Sequence, residues 1–215
     1  MTSRTSVAER GDQRAKRSYH HGDLANAVAA VALELMTERN GPDFSLREIA
    51  ARLGVQHPSV YRHFQDKAAL LQRITADGFD RLYRYQLDHL RGVEGPRERL
   101  LANGQNHVRF CLDNPGLFKL MFDYGVSTTP QSNQIIDARD KSASLLSELI
   151  QACKAAGLLG ALPSDLIRVG LWSTAHGLVH LIVTENFAQM MPQAIPLDEV
   201  IQTTLEAAIA GFSAS

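Results

Sequence analysis

Residues 45–64 read SLREIAARLGVQHPSVYRHF, and almost every position in this stretch constrains the backbone. Ser45 and Glu48 stand three apart at the head of an apolar run, the S-x-x-E signature of a capped helix start. Leu46, Ile49, Ala50 and Leu53 then make one stripe, and Gly54 supplies the residue that ends a helix in a left-handed turn. Beyond it, HPSVYRHF starts a second short helix with Pro58 in its first turn, where no backbone donor is needed. Two short helices around a glycine turn, with Ile49, Ala50, Leu53, Val55, Val60 and Phe64 inward, describe a helix-turn-helix.

The rest of the chain keeps the helical period. Leu24, Ala27, Val28, Val31, Leu35 and Met36 make a first helix from Asp23 to the stop Asn40-Gly41-Pro42. Gln65-Asp66 caps a longer helix to about Arg91, Pro96 opens one to Asp113, and Asn114-Pro115 starts another through about Tyr124. GVSTTPQSN reads as a loop, followed by a long helix to Gly157, one from Ser164 to about Phe187, and one from Leu197 to about Phe212. No segment alternates with the period of a strand, and none repeats. The expected fold is all-α with about nine helices: a basic disordered arm over 1–18, a helix-turn-helix domain over 19–68, and a helical body over 69–215.

With 215 residues, 45% of them hydrophobic, the chain can bury a sizeable core. No apolar run reaches the roughly eighteen residues of a membrane span, and the polar start lacks a signal peptide's apolar region, so the expected location is the cytoplasm. Cys111 and Cys153 have no neighbour at metal-ligand spacing and read as core thiols. The net charge of −1 announces no nucleic acid, yet it is unevenly spread. Residues 1–70 hold ten Lys/Arg against eight Asp/Glu and the remainder twelve against fifteen, which favours an anionic partner for the N-terminal part.

The outward positions of the second short helix carry Gln56, His57, Ser59, Tyr61, Arg62 and His63, none of them acidic. At the N-terminal end of a recognition helix, Gln56, His57 and Ser59 are placed to meet base edges in the major groove, with Pro58 against a thymine methyl. Tyr61, His63 and Lys67 lie at the flanks, where phosphate oxygens run, and the helix that starts at Ser45 and Arg47 offers free N–H groups to another phosphate.

The segment resembles the DNA-binding domain of TetR-type transcriptional regulators, through V-x-x-P-S-V-Y-x-H-F over 55–64 and the Asp66-Lys67 that follows. The resemblance implies phosphate contacts from Tyr61, His63 and Lys67 and base contacts from His57, Pro58 and Ser59. YHHGDL before the first helix, DNPGLFKLMF over 113–122, and Trp172 with His176-Gly177 are similar to members with a WHG-type C-terminal domain. That likeness implies a homodimer joined through the last two helices and a small-molecule pocket in each C-terminal body. The periodicity agrees, because the helix from Ser164 is apolar nearly all round and the last helix has a broad apolar stripe.

His107, Phe110, Phe118, Met121, Phe122, Trp172 and His176 are the candidate lining of such a pocket, although the same spacing also fits plain core packing. His176 and His180 stand four apart, as in the zinc motif H-E-x-x-H. Gly177 occupies the place of the glutamate, and no third ligand stands near. A packed core histidine against Trp172, with His180 at an interface, is weighed against a pocket role and against a metal-dependent enzyme. His20 and His21 are adjacent and cannot both face one site of a regular helix, so they read as helix-entry or phosphate-contact residues. No catalytic residue, metal or cofactor is expected. The function expected is that of a dimeric regulator, a repressor that a small molecule releases from a pseudo-palindromic double-stranded DNA operator; an activator or ligand-independent regulator is the alternative within that class.

Overall fold

The computed structural model describes residues 21–124, 132–184 and 195–213. These fold into α1 (His21–Arg39), α2 (Leu46–Leu53), α3 (His57–Tyr61), α4 (Lys67–His89), α5 (Pro96–Asp113), α6 (Pro115–Lys119), a π-helical turn (Leu120–Tyr124), α7 (Asn133–Ala155), α8 (Ser164–Val183) and α9 (Leu197–Ala210). Among the described residues there is no strand, and the all-α expectation holds. The arm over 1–18, His20 and most of the GVSTTPQSN loop lie outside the described residues, as does the stretch between Thr184 and Ile195.

The local signals act as their chemistry dictates. Ser45 accepts from the Glu48 amide at 3.2 Å to cap α2, and Asp66 accepts from the Ala69 amide at 2.7 Å to cap α4. Gly54 ends α2 at φ 63°, which lets the amides of Gly54 and Val55 reach back to the carbonyls of Ala51 and Ala50. Glu48 departs from the expected capping box. Its carboxylate pairs with Arg39 at the end of α1 instead of turning back on Ser45, and Arg52 holds Glu38 with two bonds at 2.7 and 2.9 Å. Two ion pairs thus tie α1 to α2, and each pulls its carboxyl below the usual glutamate range, first through the hydrogen bond from its arginine.

The core of the first three helices, with Val28, Ile49, Val60 and Leu70 buried, continues without a break into the body through α4. There α4 lies along α7, α5 packs between α7 and α8, and α9 closes over α5 and α8. A second cluster fills the far end with Leu90, Leu100, Ile150, Cys153 and Ile167. α8 has the length and apolarity of a membrane span, but one of its faces is buried on α5, α7 and α9. Its other face leaves Leu166, Val169 and Trp172 exposed.

Candidate nucleic-acid interface and internal cavity

α3 stands on α2 through Val60, which is fully buried, and presents its remaining sides outward. Gln56, Pro58, Tyr61 and Arg62 are exposed, and His57, Ser59 and His63 are half-buried. Arg62 donates to the Ser59 hydroxyl at 3.1 Å, and the His57 ring leans on Tyr61 with centroids 4.6 Å apart. Ser45 and Arg47 are exposed at the start of α2. Lys67 is more enclosed than its flank position suggested. Its ammonium donates to the Pro42 carbonyl and lies 4.8 Å from the Phe44 ring centre. With two N–H donors left over, it can still meet an anion while holding the 42–44 turn against α4.

The body holds a cavity of about 640 Å³, open to solvent on one side, between α4, α5, the π-helical turn, α7, α8 and α9. His107, Met121, Phe122 and Trp172 line it; Phe110, Phe118 and His176 do not. Phe110 packs against Tyr85 and Arg81. Phe118 sits in the core beneath Phe122 with centroids 5.4 Å apart. His176 lies behind the wall, stacked on Trp172 at 4.6 Å with the rings 17° from parallel and enclosed by Phe118 and Phe122.

His176 and His180 form no joint site, because His180 is exposed while His176 faces the aromatic cluster. Among the described residues, no three His, Cys, Asp or Glu side chains converge as metal ligands would.

Sequence reasoning missed the cavity's polar liners, among them Gln86, Asn103, Arg139, Ser142 and Arg168. One signal was available: Asn103 and Gln86 are amides standing within the apolar stripes Leu100–His107 and Leu82–Leu90. Gln86 accepts from the Ser142 hydroxyl at 2.8 Å, whereas Asn103 Oδ1, buried, has no hydrogen-bond partner in the protein.

Burial lowers the His107 imidazole to about 4, with His176 adding to the effect, so it is neutral at pH 7. His176 is lowered as well, first by burial, with Asp123 opposing and His180 reinforcing the shift. An unfolded chain regains the ordinary value near 6.5, so between 6.5 and 4 the unfolded state binds more protons. Stability therefore falls as pH drops through that window. Thermodynamic unfolding at pH 5 should show a loss of about 2 kcal/mol relative to pH 7.5. His107→Leu should flatten this dependence, and an unchanged pH profile would count against a buried neutral His107.

The π-helical turn joins the two regions. Met121 and Phe122 line the cavity, while Tyr124 donates to the Asn40 carbonyl at 3.1 Å and Lys119 to its side-chain oxygen. Asn40, at φ 56°, is the left-handed residue that ends α1 before the chain enters the α2–α3 unit.

Residues 29–74 match the family model for bacterial regulatory proteins of the tetR family, and residues 100–208 match a tetracyclin repressor-like C-terminal domain. The chain is 43% identical over 49 residues to the class A tetracycline repressor protein from transposon 1721 of Escherichia coli, a match covering 23% of each. It is 30% identical over 93 residues to an uncharacterized HTH-type transcriptional regulator of Mycobacterium tuberculosis, covering 43% of this chain and 46% of that one. The matches thus span less than half the length of these curated relatives. A solved protein of unknown function from Rhodococcus sp. RHA1 superposes with a TM-score of 0.77 at 30% identity, over 93% of this chain and 100% of that one. With the helix-turn-helix at one end, the cavity at the other, and one family model spanning more than half of its length, this chain belongs to the TetR family.

Proposed function

We propose that the chain is a dimeric, sequence-specific DNA-binding transcriptional regulator, a repressor released from a pseudo-palindromic operator when a small molecule fills the cavity. The observation that carries this reading is the acid-free outward face of α3, set on the segment that matches the regulatory-protein model. In it, residues 19–68 read DNA and residues 69–215 bind the effector and dimerise. Gln56, His57, Pro58 and Ser59 face base edges, while Ser45, Arg47, Tyr61, Arg62, His63 and Lys67 hold phosphates. The body is of the WHG type, on the strength of Trp172 with His176-Gly177. The exposed apolar residues Leu162, Leu166, Val169 and Trp172 support dimerisation through α8 and α9, with a partner rather than lipid covering that face. Such a protein works in the cytoplasm and acts by binding alone, without catalysis. Ligand binding acts by its differential affinity for two dimer geometries, one with the reading heads about one DNA turn apart, roughly 34 to 36 Å, and one without.

The test is a mobility-shift titration on duplexes selected from a random pool. Tyr61→Ala should weaken binding to all selected sequences by roughly tenfold, the size of one lost charge-assisted hydrogen bond. Arg47→Ala should also lower the slope of log affinity against log salt by about one. Unaltered binding by both variants would remove α2 and α3 as the reading head.

A further inference from the structure

The chemistry of the effector follows from which cavity groups lack a partner, an inference that rests on the cavity being the effector site. Of its charged liners, Arg139 and Asp140 are exposed, and Arg168 is half-buried and already engaged by Asp165 at 3.3 Å. Deeper in, the polar groups are Gln86, Asn103 and His107, each less than a tenth exposed, and burial keeps the imidazole neutral. The rest of the inner wall is apolar, from Phe79 and Leu82 to Leu171 and Leu205. A charged group brought there would lose its hydration with no opposite charge to meet.

The two buried amides differ. The Gln86 carbonyl already accepts from Ser142 at 2.8 Å, whereas the Asn103 carbonyl, on a residue only 3% exposed, accepts from no group of the protein. A buried acceptor without a donor is a standing cost that a ligand can relieve.

We propose that the cavity takes an uncharged, predominantly apolar molecule whose inner end carries a hydroxyl or amide N–H that donates to Asn103 Oδ1. A carbonyl, ether or nitrile at that end would leave Asn103 Oδ1 still without a donor. The walls supply most of the affinity through buried apolar area, and Asn103 supplies the selection among molecules of similar shape.

The chain contains a single tryptophan, and it lines the cavity, so intrinsic fluorescence reads binding directly and without DNA. The probes are decan-1-ol and methyl nonyl ether, equal in heavy-atom count and overall chain length but with a donor on only one. The unaltered protein should bind the alcohol at least tenfold tighter than the ether. In Asn103→Leu that ratio should fall to within about twofold, with the ether binding no worse than before. This variant should also melt no lower than the parent, since it removes an unmet polar atom at similar volume; should it fail to fold, the two-probe comparison on the parent still decides. Equal affinities for the two probes overturn the proposal and leave an apolar effector site standing. Binding of neither probe overturns it as well, and in that case the DNA titration above still judges the regulator reading separately. Tight alcohol binding that leaves the protein–DNA complex intact supports the ligand chemistry and rejects ligand-driven release.

Discussion

Phe118→Ala is expected to lower the unfolding free energy by about 3 to 5 kcal/mol, the cost of deleting a large side chain from a core that relaxes only in part. Phe118 is 1% exposed and touches Phe122 and His176, with ring centroids 5.4 and 5.2 Å away. It projects from the five-residue helix α6 against Phe122 of the π-helical turn and His176 of α8, the latter stacked on Trp172. In thermal unfolding the melting point should fall on the order of 10 °C. The expectation separates two roles for the residue. A side chain that merely walls a cavity could be trimmed at little cost to stability, so a shift of a degree or two would return Phe118 to the cavity lining.

Gly116→Ala is the second substitution with a large expected effect, although it adds one carbon. A β-carbon at this position would stand 2.6 Å from the Thr37 hydroxyl and 3.3 Å from the Leu33 carbonyl, both on α1. The hydroxyl cannot simply turn away, since it donates to that same carbonyl at 3.0 Å. Helices α1 and α6 must therefore separate, at about 1 to 3 kcal/mol for an overpacked contact. The separation would also loosen the nearby grip of Lys119 and Tyr124 on Asn40. Stability and DNA affinity should fall together. Thr37→Ala in the same chain should restore part of both, because it removes the closest atom and leaves the carbonyl at 3.3 Å. Additive effects of the two substitutions would mean that the helices do not meet there as described.

How far the sequence foretells each part depends on how local its causes are. The helix starts at Ser45 and Asp66 are set by one side chain and a nearby amide, those at Pro96 and Pro115 by a residue that needs no donor, and the stop at Gly54 by its left-handed backbone, so all are legible from a few letters. The outward face of α3 is legible for the same reason, since a short helix standing on Val60 leaves few choices of orientation. Glu48 departs from the local pattern because a long-range partner, Arg39, competes with the bond to its own helix start. The cavity lies further from reach: Ser142 on α7, Arg168 on α8 and Leu205 on α9 meet across helices whose crossings no local rule fixes. His176 illustrates the limit in one residue. Its helix and its contact with Trp172 follow from a spacing of four, but whether it faces the cavity or backs its wall depends on Phe118 and Phe122 arriving from another element.

Both cysteines are deeply enclosed, 1% exposed each, and burial pushes both thiols up, Cys111 to about 12. Since the thiolate is the form that attacks, neither should consume maleimide or methanethiosulfonate reagents at neutral pH, which a thiol titration of the folded protein checks. The native chain is in effect a cysteine-free background. A lone Gln65→Cys on the exposed turn between α3 and α4 would carry one nitroxide per chain. In the proposed dimer, electron-electron dipolar spectroscopy on the two labels then turns the spacing of the reading heads into a measured distance, on a chain with no other residue changed.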